Sequence, residues 1–440
     1  MQLTSKSNLT GKTKKATNIN TALAAATCAL LGTSPFAQAD EGVWEMDAAL
    51  LYYGETDRVT AVEGVLSAKK DFGDEHIFSG KIVLDSLTGA SASGAVSQSN
   101  VQTFTRPSGK GQYVIQGGEI PLDDTFKDTR VQLEAQWAQL LWDDMRGSTG
   151  VHFSKEYDYL SVAVNGSLAK DFNQKNTTVS AGLSLAFDTI DPEGGRPIAF
   201  SEMVIDQGQF PDEQAYQAAF DTTREKDSDN KTTIDLMLGV TQIINRRMLM
   251  QFNYGYSMSD GYHSDPFKVL SVVNDQGLTQ SLLYEDRPTE RTRHSFYWQT
   301  KYALDVGVAD VSYRYATDDW DISSHTIDSR FRFNLSDNTY IQPHFRYYQQ
   351  SAAEFYQPFL MEGTTLPTFA SADYRLGEMT AYTIGLKYGM KMPSGNEWAF
   401  RLEYYQQDPK NAGFEAPGAL QELDLYPSVK AIIAQVSYRF

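Results

Sequence analysis

Few side chains in this sequence are grouped in a way that does chemistry. The six histidines, His76, His152, His263, His294, His325 and His344, stand far apart, and no two have the H-x-x-x-H spacing of metal ligands. No G-x-S-x-G elbow and no phosphate-binding loop occurs. The single cysteine, Cys28, lies near the N-terminus, so neither a disulfide nor a thiolate nucleophile is expected. Acidic pairs and trios stand at Asp123 and Asp124, at Asp188 and Asp191, and at Asp318, Asp319 and Asp321. Carboxylates like these ligate calcium, but none has the spacing of a defined loop, and solvated carboxylates or divalent-cation bridges to lipid phosphates explain them more simply. No catalytic, cofactor or metal site is expected, and the chain is not expected to be an enzyme.

A different set of charges is informative because of its periodicity. Glu45, Asp47, Glu63, Asp85 and Glu134 occupy alternate positions in the N-terminal third, with Lys69 and Lys81 among them. Arg314, Arg330, Arg332 and Arg346 do so further on, with Asp310 and Asp328. Period two is the period of a β-strand, so each set lies on one face of a sheet. The opposite face is apolar: Trp44, Met46, Ala48, Leu50 and Tyr52 alternate with Glu45 and Asp47, and Met248, Met250, Phe252, Tyr254 and Tyr256 alternate with Gln251 and Asn253.

The elements that carry this alternation are long, about 10 to 14 residues. A soluble strand averages about 5 to 6, while a tilted membrane-crossing strand needs about 9 to 11. About 16 such segments start near Val43, Val59, Ile77, Val131, Gly150, Tyr159, Thr178, Thr233, Met248, Thr292, Val308, Ile322, Tyr340, Met379, Glu397 and Ser428. The even-numbered connections are all short. The long ones, Ser86–Thr129, Thr189–Lys231, Ser259–Arg291, Ser351–Glu378 and Asp408–Pro427, all fall at odd places. Such sorting is the rule for transmembrane barrels, which have short periplasmic turns and long extracellular loops.

Composition agrees. Mean hydropathy is −0.41 and no apolar run reaches 18 residues, which excludes membrane-spanning helices but not strands. Trp137, Trp298, Tyr302, Tyr313, Tyr315, Tyr347, Trp398 and Tyr404 join the outward set, as interfacial girdles require. The formal charge of −18 argues against nucleic acid as a partner. Lys6, Lys12, Lys14 and Lys15, the mildly apolar Ile19–Leu31 and Ala37-Gln38-Ala39 follow the order of an export signal, so residues 1–39 are expected to be a leader and 40–440 the barrel.

The fold expected is therefore all-β: a transmembrane antiparallel up-and-down barrel in the outer membrane of a Gram-negative bacterium. Its partners would be membrane lipids and lipopolysaccharide. The final Ile432, Ala434, Val436, Tyr438 and Phe440 alternate and end on an aromatic. This resembles the C-terminal signal read by the barrel assembly machinery, with Tyr438 and Phe440 as its residues. The alternating charges would line the lumen. In a ring of 16 the acidic and basic arcs lie across from each other. Two outcomes follow: a transverse field over an open pore, or local ion pairs in a plugged lumen.

Several stretches, Asp85-Ser-Leu-Thr-Gly-Ala-Ser-Ala-Ser-Gly-Ala95, Asp171-Phe-Asn-Gln-Lys-Asn-Thr-Thr178, Arg346-Tyr-Tyr-Gln-Gln-Ser-Ala-Ala-Glu-Phe-Tyr356, Ala372-Asp-Tyr-Arg-Leu376 and Gln435-Val-Ser-Tyr-Arg-Phe440, resemble the bacterial domain-of-unknown-function family 3570. The resemblance implies an outer-membrane barrel of unassigned activity. It also implies genes beside a small lipoprotein, a thioredoxin-like protein and a flavin transferase, hence periplasmic or lipoprotein partners in redox or export machinery. It supplies no catalytic residues. The function expected first is passage, as a pore or selective channel for small polar solutes. The alternative is a structural or scaffold barrel with a plugged lumen.

Overall fold

A computed structural model describes residues 42–440, and the expected leader lies outside the described residues. Sixteen antiparallel strands close into one barrel. In chain order they are β1 (Trp44–Glu55), β2 (Val59–Asp71), β3 (Ile77–Ala92), β4 (Leu122–Trp142), β5 (Met145–Lys155), β6 (Tyr159–Phe172), β7 (Thr177–Ile190) and β8 (Asp229–Asn245). The second half comprises β9 (Met248–Gly261), β10 (Glu290–Leu304), β11 (Gly307–Asp318), β12 (Ser323–Asn334), β13 (Thr339–Gln350), β14 (Met379–Lys391), β15 (Glu397–Pro409) and β16 (Val429–Arg439). Each strand pairs with its sequence neighbour, and β1 pairs with β16 to close the ring. At that seam Met46 and Phe440 exchange backbone hydrogen bonds of 2.9 and 3.0 Å.

The outward positions are apolar between the strand ends. Leu50 is 58% exposed, Leu84 55% and Leu402 59%, values no soluble core shows, and closure leaves no free edge. A closed barrel with an apolar outer wall spans a membrane. Aromatic rings gather towards the turn end of the wall. Trp44 meets Phe72 and Phe78 edge-on at 6.4 Å, and Tyr438 packs on Trp398 at 4.6 Å and Phe440 at 5.4 Å. Nearer the loop end, Tyr254 shares a 2.8 Å hydrogen bond with His294, and Tyr313 one of 2.7 Å with His325.

Three strands begin four or more residues earlier than alternation suggests. β4 starts at Leu122 rather than Val131, β5 at Met145 rather than Gly150, and β8 at Asp229 rather than Thr233. The extra residues are mostly polar, and Leu122, Phe126 and Met145 are too widely spaced to set an apolar rhythm. The first long loop accordingly shortens to 93–121, because 86–92 belong to β3 and 122–129 to β4. The others span 191–228, 262–289, 351–378 and 410–428.

These long loops are folded, not loose. Hairpin strands Gln102–Thr105 and Gln112–Ile115 pair within the first. Strands Val269–Val273, Thr279–Tyr284 and Leu360–Met361 form one sheet from two different loops. Helix α1 (Glu213–Asp221) is capped by the Asp212 carboxylate, which accepts from the Ala215 N–H at 2.8 Å, and it buries Tyr216 and Phe220. Phe104, Tyr113, Met203, Val269, Leu282 and Tyr284 share one core. Val96, Val273, Phe359 and Leu420 share another. Each fully buried large apolar side chain contributes roughly 1.5–3 kcal/mol, so the five loops make one cap. Gly94 holds a positive φ of 96°, and a Cβ there would lie 2.7 Å from the Val269 carbonyl, so glycine is needed where the first loop meets the third.

Candidate functional site

Register places every charge singled out in the sequence on the inward face, because each alternates with the exposed outer wall. Asp47 receives the Arg439 Nε at 2.9 Å, and Glu45 stands opposite Lys69. Glu63 faces Asp85 across one ladder, and Arg130 answers both, bonding Asp85 and lying 3.8 Å from Glu63. Glu134 lies 3.5 Å from Lys81 and 3.6 Å from His152. On the far arc Arg330 meets Asp328 at 3.2 Å, Arg346 stands opposite Asp328, Arg314 lies 5.4 Å from the Tyr297 ring, and Arg332 covers Tyr340 at 3.7 Å. Tyr438 and Phe440 sit outside, at the turn end of the wall. Each arc thus carries counter-charges of its own.

The far arc still keeps a surplus of cations. Lys387 and Arg401, which alternation alone did not single out, share its inward face with Arg314, Arg330, Arg332 and Arg346. Within it, His344 points Nδ1 at Glu403, 2.9 Å, and Nε2 at Asp328, 3.0 Å. Only the doubly protonated ring donates to both.

The ion pairs differ in exposure, and at the turn end they do so among themselves: Arg146 and Asp171 are 16% and 4% exposed. Asp47 and Arg439, near the turns, have side chains 34% and 37% exposed. Lys231 and Asp188, 2.9 Å apart below the loops, are 0% and 1% exposed. Arg291 bonds Asp318 at 2.9 Å at the same end. Two of the acidic groups noted in the sequence are therefore occupied by cations of the barrel rim, and Asp319 accepts the Thr292 N–H at 2.9 Å.

What seals the loop end is an ionic network between the loops 262–289 and 351–378. Arg287 bonds Glu285 at 2.6 Å and Asp373 at 2.9 Å. Arg375 bonds Asp265 at 2.7 Å and also bonds Asp373. The Asp265 N–H donates to Glu285 at 2.6 Å, and Lys268 donates to the Ala92 carbonyl. Burial alone would raise the Asp373 carboxyl, but the guanidiniums of Arg375 and Arg287 outweigh it and hold the group well below the usual carboxylate range. Tyr374 reaches the Arg58 guanidinium of the β1–β2 hairpin at 5.6 Å, so its loop crosses a broad part of the mouth. Gln350 anchors the same loop by donating to the carbonyls of Arg375 and Gly377 at 2.9 and 2.8 Å.

Three of the stretches quoted for the family resemblance converge here: the end of Asp85–Ala95, the end of Arg346–Tyr356, and Ala372–Leu376. The stretch Asp171–Thr178 has no part in it. It lies at the turn end, where Asp171 accepts from Arg146 at 2.8 Å.

A family model described as "Protein of unknown function (DUF3570)" matches residues 20–440. No functionally curated protein matches the sequence. Among solved structures, the siderophore receptor PirA from Acinetobacter baumannii aligns at 8% identity and a TM-score of 0.41, over 89% of this chain and 58% of that one. The outer-membrane protein OmpT of Vibrio cholerae aligns at 11% and 0.39, over 91% and 100%. OccK3 (OpdO) of Pseudomonas aeruginosa aligns at 8% and 0.39, over 90% and 95%. The chain spans less than two thirds of the siderophore receptor.

Proposed function

Because this chain belongs to DUF3570, a family with no assigned activity, we propose its function from geometry: a passage for small polar solutes across the outer membrane, closed at its outer mouth until the loop cap moves. In this reading the short turns face the periplasm and the loops face outward, as in other barrels of this kind. Lipopolysaccharide surrounds the outer rim, and the chain is not an enzyme.

The observation that carries the reading is a lumen wall lined with charge, open to water at Asp47 and Arg439 by the turns and sealed at Lys231 and Asp188 under the loops. Sixteen strands leave room for an aqueous lumen where about 8 leave only enough for side chains. A lumen lined with charge has no packing role that apolar residues would not fill better.

The cap favours a second reading, a plugged scaffold that docks envelope partners, because its loops share cores of their own. Planar bilayers separate the two. The intact protein is expected to give rare conductance steps, and a variant with residues 354–374 replaced by a short Gly-Ser linker is expected to give frequent ones. A folded, uncapped barrel with no steps defeats the passage reading and leaves the scaffold.

A further inference from the structure

We propose that the lumen wall holds an oxyanion-binding station formed by Arg332, Gln342, Lys387, Arg401 and Gln435; it deepens the passage reading by naming the class of solute. The five residues form one row across adjacent strands β12 to β16. Gln342 pairs with Lys387, Lys387 with Arg401, and Arg401 with Gln435. Arg332 takes its place opposite Gln342 by the register on either side, Arg330 with His344 and Phe333 with Ile341.

The row contains donors and no carboxylate. Three cations stand between and beside two amides, and every one can present N–H groups to the lumen. Lys387 and Arg401 are directly opposite each other, so one ligand between the two strands meets an ammonium and a guanidinium together.

Carboxylates flank the row on neighbouring inward positions and fix its edges. Glu403 lies 3.8 Å from Arg401 and 2.9 Å from the His344 ring. Asp328 is shared by Arg330 and His344. Glu397 accepts the Tyr340 hydroxyl at 2.6 Å. The Tyr340 ring lies over Gly389, where any Cβ would overlap it, and Arg332 lies 3.7 Å from the ring centre. The floor of the row is thus fixed by packing. Sulfate, phosphate and carboxylate all match its chemistry, since guanidinium and ammonium groups bind oxyanions by charge-assisted hydrogen bonds.

The test is calorimetric titration of the whole purified barrel in detergent with sodium sulfate, sodium phosphate or sodium acetate against chloride at constant ionic strength. Saturable binding of at least one oxyanion is expected. The Lys387→Gln, Arg401→Gln double variant should weaken it by roughly tenfold or more. Lys81→Gln on the opposite arc should leave it unchanged. Sulfate and phosphate binding without acetate binding would identify tetrahedral oxyanions; acetate alone would identify carboxylates. Lys387→Met alone serves if the double variant does not fold, as judged by its unboiled gel mobility. No saturable binding of any of the three, or equal binding by folded variants, overturns the station. Binding in detergent with no conductance in the uncapped barrel would refute the passage and keep the station, and conductance without binding would do the reverse.

Discussion

His263 lies just past the end of β9, with Nδ1 against the Gly261 carbonyl at 2.9 Å and Nε2 against the Ser259 hydroxyl at 2.8 Å. A neutral ring donating from Nδ1 and accepting at Nε2 satisfies both. Burial, and then the charge of Lys231, push its pKa down to about 4. The unfolded ring titrates near 6.5, so between these values only the unfolded state gains a proton. Stability should fall as pH drops from 6.5 to 4 and change no further through this group below that. The loss is ~3 kcal/mol, and His263→Gln should remove it from the difference between urea midpoints at pH 7 and pH 4.5. Equal slopes in the two proteins would refute the assignment.

Glu156 and Asp158, in the short loop between β5 and β6, behave oppositely. Burial and then the charge of Asp128 raise both to about 7. The folded state therefore keeps protons that the unfolded state has lost, and their contribution, present below about pH 4, disappears as pH rises through 7. Glu156→Gln should stabilise at pH 8 by ~1 kcal/mol, discounted for partial solvent exposure, and change little at pH 4. In the cap, Arg287→Met leaves Glu285 buried without its cation, while Asp373 keeps Arg375. Breaking a buried pair in this way costs about 3–5 kcal/mol. Because the barrel does not depend on this pair, the expected result is new protease cleavage within 262–289 and 351–378 with an unchanged barrel core.

At the scale of the element, alternation in Trp44–Tyr52 or Met248–Tyr256 exposes strand and face at once, because lipid demands an apolar side chain at every second position. The same rhythm set the inward register of Arg330 and Arg332. It fails where lipid makes no demand. The early residues of β4 rise beyond the membrane, and their polar sequence reads as loop. The cap was illegible for a related reason: its contacts join residues such as Val96 and Val273, or Arg287 and Asp373, that no local period connects. Helix α1 did leave a signal, Asp212 before Glu213 with Tyr216 and Phe220 four apart. Lys387 and Arg401 also left one, in their alternation with Leu386, Tyr388, Phe400 and Leu402, but their convergence depends on register across strands.

The C-terminal strand shows the same division between folding and recognition. Phe440 is 46% exposed, so its burial contributes only ~1 kcal/mol. Deleting it should leave refolding in detergent nearly intact while sharply lowering the amount assembled in cells. Normal outer-membrane levels of the truncated protein would sink the idea that Tyr438 and Phe440 are read during assembly.

For the molecule as a whole, closure pairs every strand on both sides. Opening the ring exposes backbone groups to detergent or lipid that cannot pair with them. The unboiled protein should therefore migrate faster than the boiled one on a denaturing gel. Identical mobilities would contradict a closed barrel.

The seam at which Met46 meets Phe440 also has a kinetic meaning. Asp47 and Arg439, bonded across it, are 392 residues apart in the chain. The first strand emerges with an unpaired edge that its partner cannot cover until the last residues have been delivered. Contacts of such high sequence separation are slow to form, and an open apolar edge in water is a template for aggregation. The ring that is hardest to open once made is, until its final strand arrives, the part of the chain most in need of a chaperone.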